Sequence, residues 1–203
     1  MLKSQGMQEN QSVGFLSDGG EDVRQLQEYL QPFSEHFIDW FHITMRLTVL
    51  QQQTHTLISE KVENTAVISR QLESIKHYLW HGNVDEALER LENLILDLDL
   101  ISSSSSTLRK FKERIAEFDT YIRNDQEYIP NYGERYRNGE TISTAFVEST
   151  INQVVSRRFV KKQQMQWTLR GAHLLLQTRT KVLNHELGDV FRKWFQQFQT
   201  QAA

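Results

Sequence analysis

The sequence predicts a mainly α-helical protein with a small α/β segment at its beginning. Between residues 44 and 124, apolar residues recur at helical spacing almost without interruption, which is typical of a helical bundle. Before that region, two short apolar runs enclose one helical segment, which is the pattern of a βαβ unit. The chain has 203 residues, of which 38% are hydrophobic, so it is large enough to form a core.

The βαβ unit is expected within residues 1–43. Residues 12–17 form the first predicted strand, which ends at Asp18, and a Gly-Gly pair then turns the chain. The second predicted strand, residues 36–38, ends at Asp39. Reactive groups collect at the carboxyl ends of parallel strands, where both aspartates fall. The helix between the strands carries its apolar residues on one face: Val23, Leu26 and Leu30.

Residues 44–130 are expected to form a helical bundle. Gly82 ends one helix, and Asn83 with Glu86 is typical of a capping box at the start of the next. The serines at 102–106 form a flexible polar link. The predicted core positions are Ile43, Leu47, Leu50, Thr54, Leu57, Leu72, Ile75, Leu79, Val84, Ala87, Leu88, Leu91, Leu94, Ile95, Leu98, Leu108, Phe111, Ile115, Phe118 and Ile122.

The last predicted part, residues 131–203, contains an amphipathic helix with one acid, Glu148, in its opening turns. Thr141, Ser143 or Thr144 is expected to cap this helix. Its predicted buried face consists of Ile151, Val154, Val155 and Phe159. A basic run without acids follows, formed by Arg157, Arg158, Lys161, Lys162 and Arg170. Taken alone, this segment is better explained as a solvated helix with a charged end.

The composition restricts the cellular compartments in which the protein is expected and the kinds of binding site that it can contain. The formal net charge of -3 says little about nucleic acid, whereas the local basic run predicts a phosphate-binding surface. The absence of cysteine excludes disulfides and thiolate metal sites, which agrees with a cytoplasmic protein. No apolar run is long enough for a membrane span, and the polar beginning is unlike a signal peptide.

Three motifs, read together, resemble the C-terminal catalytic segment of DDE transposases of bacterial insertion sequences. They are FLSDGGEDVRQL, IDWFHITMRL, and GETISTAFVEST followed by RR, KK and MQW. The resemblance implies a ribonuclease H-like fold with a helical insertion, and Mg²⁺ or Mn²⁺ as the cofactor for cleavage and transfer of transposon DNA. It implies that Asp18 is the second catalytic, metal-binding Asp and Glu148 the third acid. Asp39 and His42 are similar to the signature "Cys or Asp, two residues, His" of Mutator-type and hAT-type transposases.

The chain departs from this family at the first catalytic Asp, which lies well upstream of the second one in the family. Only seventeen residues precede Asp18, and none is an Asp. We therefore expect a truncated transposase that is inactive alone and binds metal weakly, with transposon-end DNA, intact transposase or a second copy as its partner. A DNA-binding or transposase-pairing regulator without catalysis is the alternative function, and a helical structural protein is a third. Without the resemblance, Asp18 is a turn residue, Asp39 a helix N-cap and His42 a partly buried helix histidine.

Overall fold

The computed structural model describes residues 6, 8, 11, 13–60, 62–101, 105–156, 159 and 166–197. The chain divides into two compact units, Met1–Thr144 and Ala145–Ala203. The first unit contains a two-stranded parallel sheet and a helical bundle, and the second contains helices. The predicted fold class, mainly α with a small α/β segment, is confirmed. Among the described residues, no helix combines the length and the apolar character needed to span a bilayer.

The sheet pairs β1 (Gly14–Ser17) with β2 (Glu35–Ile38) through the crossover helix α1 (Glu21–Leu30). This arrangement matches the predicted βαβ unit. The expected packing of α1 is different, because Leu26 is 54% and Leu30 57% exposed while Gln27 is buried. The side-chain amide of Gln27 donates to the carbonyl and hydroxyl oxygens of Ser34. Gln27 can therefore be buried without leaving its amide N–H groups unpaired.

Four helices form the bundle: α2 (Trp40–Ser59), α3 (Thr65–Trp80), α4 (Val84–Asp99) and α5 (Ser106–Asn124). Each packs against the next, and α5 returns to α2. The predicted core positions are buried in all four helices, apart from Val84 and Ile95, which are partly buried against the core. The apolar residues of each helix share one face because their spacing follows the helical repeat, and burial of these faces stabilises the bundle.

The loops of the bundle agree only in part with the predictions. Of the predicted serine link at 102–106, Ser106 already belongs to α5, and residues 102–104 lie outside the described residues. Gly82 has a φ of +72° and follows the last turn of α3, where a side chain would be strained and would also meet the backbone of Asn131. Asn83 precedes α4, but its side chain makes no capping hydrogen bond. Ser105 caps α5 by accepting from the backbone of Thr107 and Leu108.

After the bundle, the chain returns to the end of the sheet. A 3₁₀ turn (Gln126–Tyr128) and helix α6 (Tyr132–Arg137) follow α5. Ile129, Tyr132 and Ile142 from this segment are buried in the same core as Phe37 and Ile38 of β2. The first unit therefore has one continuous core that includes both the sheet and the bundle.

The second unit contains α7 (Ala145–Ile151), a π-helical segment (Asn152–Ser156), α8 (Leu169–Leu183) and α9 (Leu187–Trp194). None of its described residues is buried. The sequence predicts an amphipathic helix with a buried face here, and the described residues are helical: α7 passes into the π-helical segment after Ile151, and Phe159 is α-helical again. The predicted buried face is wrong, since Ile151 is 46% exposed. Arg179 of α8 donates to the carbonyl of Val154, which connects α8 to the π-helical segment.

Candidate functional site

Asp18 lies in a tight turn directly after β1, as the sequence predicts. Its Oδ1 accepts from the backbone N–H of Gly20 at 3.1 Å, and its side chain is exposed. Gly19 between them has a φ of +95°, which favours glycine. The hydroxyl of Ser17 accepts from the N–H of Gly19 and is 2.8 Å from His36 Nε2. The turn thus presents a carboxylate at the carboxyl end of the sheet, and its backbone is held by the side chains of Ser17 and Asp18.

Asp39 follows β2 and is completely buried. Its Oδ1 accepts from the N–H of Phe41 at 2.9 Å, which caps α2, and from the N–H of Thr144 at 3.1 Å. Its Oδ2 accepts from the Thr144 hydroxyl and lies 3.7 Å from His42 Nε2. The N-cap role that the residues alone indicate for Asp39 is confirmed, and the side chain also joins the start of α2 to a residue that lies far along the chain.

Asp125 is a third acid at this end of the sheet, and sequence reasoning did not identify it. Its side chain lies close to Gly19. A Cβ atom built on Gly19 would be only 2.6 Å from Asp125 Oδ2, so a larger residue at position 19 would collide with this carboxylate. Asp125 is only 4% exposed, and its Oδ1 has no hydrogen-bond partner within the described residues. No sequence signal distinguishes it, since Asp125 is one of many charged residues near helix ends.

The ionisation of Asp125 reflects this environment. Burial raises the pKa of its carboxyl group above the usual range, and the nearby charge of Asp18 acts in the same direction. The guanidinium groups of Arg24 and Arg46 oppose this rise. Burial likewise lowers the pKa of His36, and the charge of Arg24 adds to that effect. Polar groups of mixed charge therefore surround the Asp18 turn.

The segment 132–137 is rich in tyrosine and arginine, a composition that suits contact with nucleic acid, and its residues fall into two groups. Tyr132 is fully buried and donates its hydroxyl to the carbonyl of Ile38 at 2.8 Å, so its ring is unavailable to a nucleic acid. Arg135 pairs with Glu35 and Glu140. Tyr136, at 65% exposure, is open to solvent, as is Arg137.

The remaining predicted site residues are in the second unit or lie outside the residues that the structure describes. Glu148 is in α7 and is half-buried, and Arg170 is exposed at the start of α8. Arg157, Arg158, Lys161 and Lys162 lie outside the described residues. The expected proximity of Asp18 and Glu148 remains a prediction, because the two carboxylates belong to different units.

The donor set has the chemistry that a hard cation requires, since Asp18 and Glu148 offer carboxylate oxygens of the kind that Mg²⁺ prefers. Within the described part of the chain, however, no three His, Cys, Asp or Glu side chains are grouped so that they could hold a metal ion. The role of Mg²⁺ or Mn²⁺ therefore stays a prediction from the resemblance.

Comparison of the chain with models of protein families, with curated proteins and with solved structures finds no match.

Proposed function

We propose that this chain is the part of a DDE transposase that supplies the second and third metal-binding carboxylates, Asp18 and Glu148, and that it acts on transposon-end DNA. The observation that carries the proposal is the order of the three motifs along the chain, combined with the role of Asp39. Asp39 binds the backbone and hydroxyl of Thr144, and α7 with Glu148 begins at the next residue. The second motif and the beginning of the third are thereby linked by a buried carboxylate.

The residues have separate tasks in this proposal. Asp18 is held by its own turn through Gly20, so little reordering is needed for it to receive a cation. In metal-dependent phosphoryl transfer, the bound divalent ions activate the attacking oxygen and stabilise the leaving one. Asp39 positions the chain before α7 and does not contact the reacting atoms. Arg170 with the basic run of residues 157–162 would hold the phosphates of the DNA.

A metal-binding experiment tests the assignment of Asp18 and Glu148. We expect the chain to bind Mn²⁺ weakly, as measured by electron paramagnetic resonance, and we expect Asp18→Asn and Glu148→Gln each to weaken this binding further. Asp85→Asn, which neutralises an exposed acid at the start of α4, is the matched control and should leave binding unchanged.

The same samples test whether the chain cleaves DNA by itself. The chain lacks the first of the three catalytic acids that the resemblance implies. We therefore expect no nicking of duplex DNA with Mg²⁺ or Mn²⁺. Mn²⁺ affinities that are equal in the wild type and both site variants would refute the assignment. Nicking that Glu148→Gln abolishes would instead show a complete active site.

A further inference from the structure

One edge of the two-stranded sheet is open. Among the described residues, β1 pairs with β2 and with no other strand. The carbonyl of Ser17 accepts from the N–H of Asp39, directly after β2, so the backbone groups of Ser17 point toward β2. Successive residues of a strand direct these groups to opposite sides, so Gly14 and Leu16 direct theirs to the open edge. Apart from the pairing of the two strands, no backbone hydrogen bond involves Gly14 or Leu16 within the described residues.

One side of α1 carries an exposed apolar surface, here called the α1 stripe, which consists of Leu26, Tyr29 and Leu30. Their exposed fractions are 54%, 85% and 57%. Arg24 is on the opposite side of the helix, where its guanidinium lies 5.2 Å from the centroid of the Tyr128 ring. The ring of Tyr128 contacts that of His36 in β2, with centroids 5.1 Å apart. The α1 stripe is therefore on the side of the helix away from β2, which is the side of the open edge.

The open edge and the α1 stripe are both suited to a second copy of this chain. A two-fold axis perpendicular to the sheet would pair β1 of each copy in an antiparallel manner and give four strands in the order β2-β1-β1-β2. The same axis would place both α1 helices on one face of the joined sheet, where their stripes meet. Because the stripe contains no charged residue, it can pack against its own copy without placing like charges together.

The size of such an interface is sufficient for a specific dimer. A tyrosine side chain buries roughly 150–250 Å² when it is covered, and Tyr29 would contribute from both copies. With the leucines of the stripe and the two strand edges, the total reaches about 1,000 Å², where specific interfaces begin. A two-stranded sheet is marginally stable by itself, whereas a four-stranded sheet covered by helices is not.

We propose that the chain forms a two-fold symmetric dimer through the open edge of β1 and the α1 stripe. The outward backbone groups of Gly14 and Leu16 pair with those of the second copy, and the two stripes form one apolar layer beside the joined strands. An extended strand of a different protein is the competing occupant. The second copy is favoured because the axis that pairs the strands also brings the two uncharged stripes together. The dimer is independent of the proposed function, since neither Asp18 nor Glu148 belongs to the edge or to the stripe.

Analytical ultracentrifugation of the full chain over a range of concentrations tests the dimer. We expect the wild type to show a monomer–dimer equilibrium. Leu30→Ser should raise the dissociation constant roughly tenfold or more, because each copy loses an apolar side chain from the interface. The matched control is Leu96→Ser on α4, since Leu96 is a helical leucine of similar exposure, 63%, outside the stripe. This control should dimerise like the wild type.

Two substitutions of one residue test the strand pairing separately. Gly14 is exposed and begins β1, a position at which proline is tolerated in an edge strand. Gly14→Pro removes an N–H group from the open edge of each copy, so we expect it to raise the dissociation constant about tenfold. Gly14→Ala keeps this N–H group and should leave dimerisation unchanged.

Three results would overturn the dimer. A wild type that stays monomeric at every concentration would show that no second copy binds the edge. Equal dissociation constants of Leu30→Ser and Leu96→Ser would exclude the stripe, and a Gly14→Pro variant that dimerises like Gly14→Ala would exclude the paired strands. Circular dichroism of each variant verifies that the fold is intact.

Discussion

At the scale of single residues, the clearest feature is the buried carboxylate of Asp39, which binds both the start of α2 and Thr144. A buried carboxylate needs hydrogen-bond donors, and here they are the backbone N–H groups of Phe41 and Thr144 together with the Thr144 hydroxyl. An acid at the carboxyl end of a strand is easily taken for a catalytic group. In this chain the geometry of Asp39 instead holds two distant segments together, which is a positioning role.

Removing this carboxylate should destabilise the first unit strongly. We expect Asp39→Ala to lower the free energy of unfolding by about 2–4 kcal/mol, because α2 loses its cap and two partly buried N–H groups lose their acceptor. The control is Asn131→Ala, which removes only the N-cap of α6 and should cost about 1 kcal/mol. Urea denaturation measures both values. Equal losses in the two variants would show that the link to Thr144 contributes nothing.

Asp125 predicts a pH dependence of stability. Its pKa in the folded chain is raised by burial, so folding favours the protonated form. The corresponding stability is complete at acidic pH, below the pKa of the unfolded chain, and is lost as the pH rises through the folded pKa. We therefore expect Asp125→Asn to have a higher Tm than the wild type at neutral pH, with the difference vanishing at acidic pH.

Thermal denaturation across this pH range measures the effect. Asp85→Asn is the control, because Asp85 is exposed at the start of α4. A difference in Tm between Asp125→Asn and the wild type that stayed constant with pH would mean that the effect is one of packing and not of ionisation. A lower Tm for Asp125→Asn at neutral pH would show that Arg24 and Arg46 outweigh the effect of burial.

At the scale of elements, the helices that could be predicted are those whose packing repeats locally. The apolar residues around Leu72, Leu91 and Phe111 recur at helical spacing along their helices. The sequence is therefore sufficient to identify the buried face of each bundle helix. The same reasoning is wrong for α1, where a hydrogen-bonded Gln27 occupies the buried position while Leu26 remains exposed. A hydrophobic pattern identifies a face that can be buried, and only the surrounding structure decides whether it is.

The candidate site was predictable only where the chemistry is local. Asp18 and Asp39 follow strands that can be recognised from the sequence, so their places at the strand ends could be predicted. The contact of Asp125 with Gly19 and the bond of Asp39 to Thr144 depend on segments that are distant along the chain. No periodicity or composition contains that information. The proximity of Glu148 to Asp18 remains a prediction from the resemblance.

At the scale of the whole molecule, the two units differ in how they bury their residues. The first unit has one continuous core, in which residues such as Leu91 and Phe111 are completely buried. In the second unit none of the described residues is buried, and Leu169 is 93% and Trp194 70% exposed. Backbone hydrogen bonds that are shielded by a core open only by cooperative unfolding, whereas poorly covered helices open locally.

Hydrogen exchange should therefore separate the chain into two levels of protection. We expect the slowest exchange at the amides of Leu88, Leu91 and Phe111, in α4 and α5, because opening them requires unfolding of the bundle core. Exchange should be much faster in α7 around Glu148 and in the exposed turns of α1, where few apolar contacts have to break. Native-state exchange read by mass spectrometry distinguishes these regions. Uniformly slow exchange from α1 through α8 would mean instead that the chain unfolds as one cooperative unit, and that α7 is stabilised as strongly as the bundle.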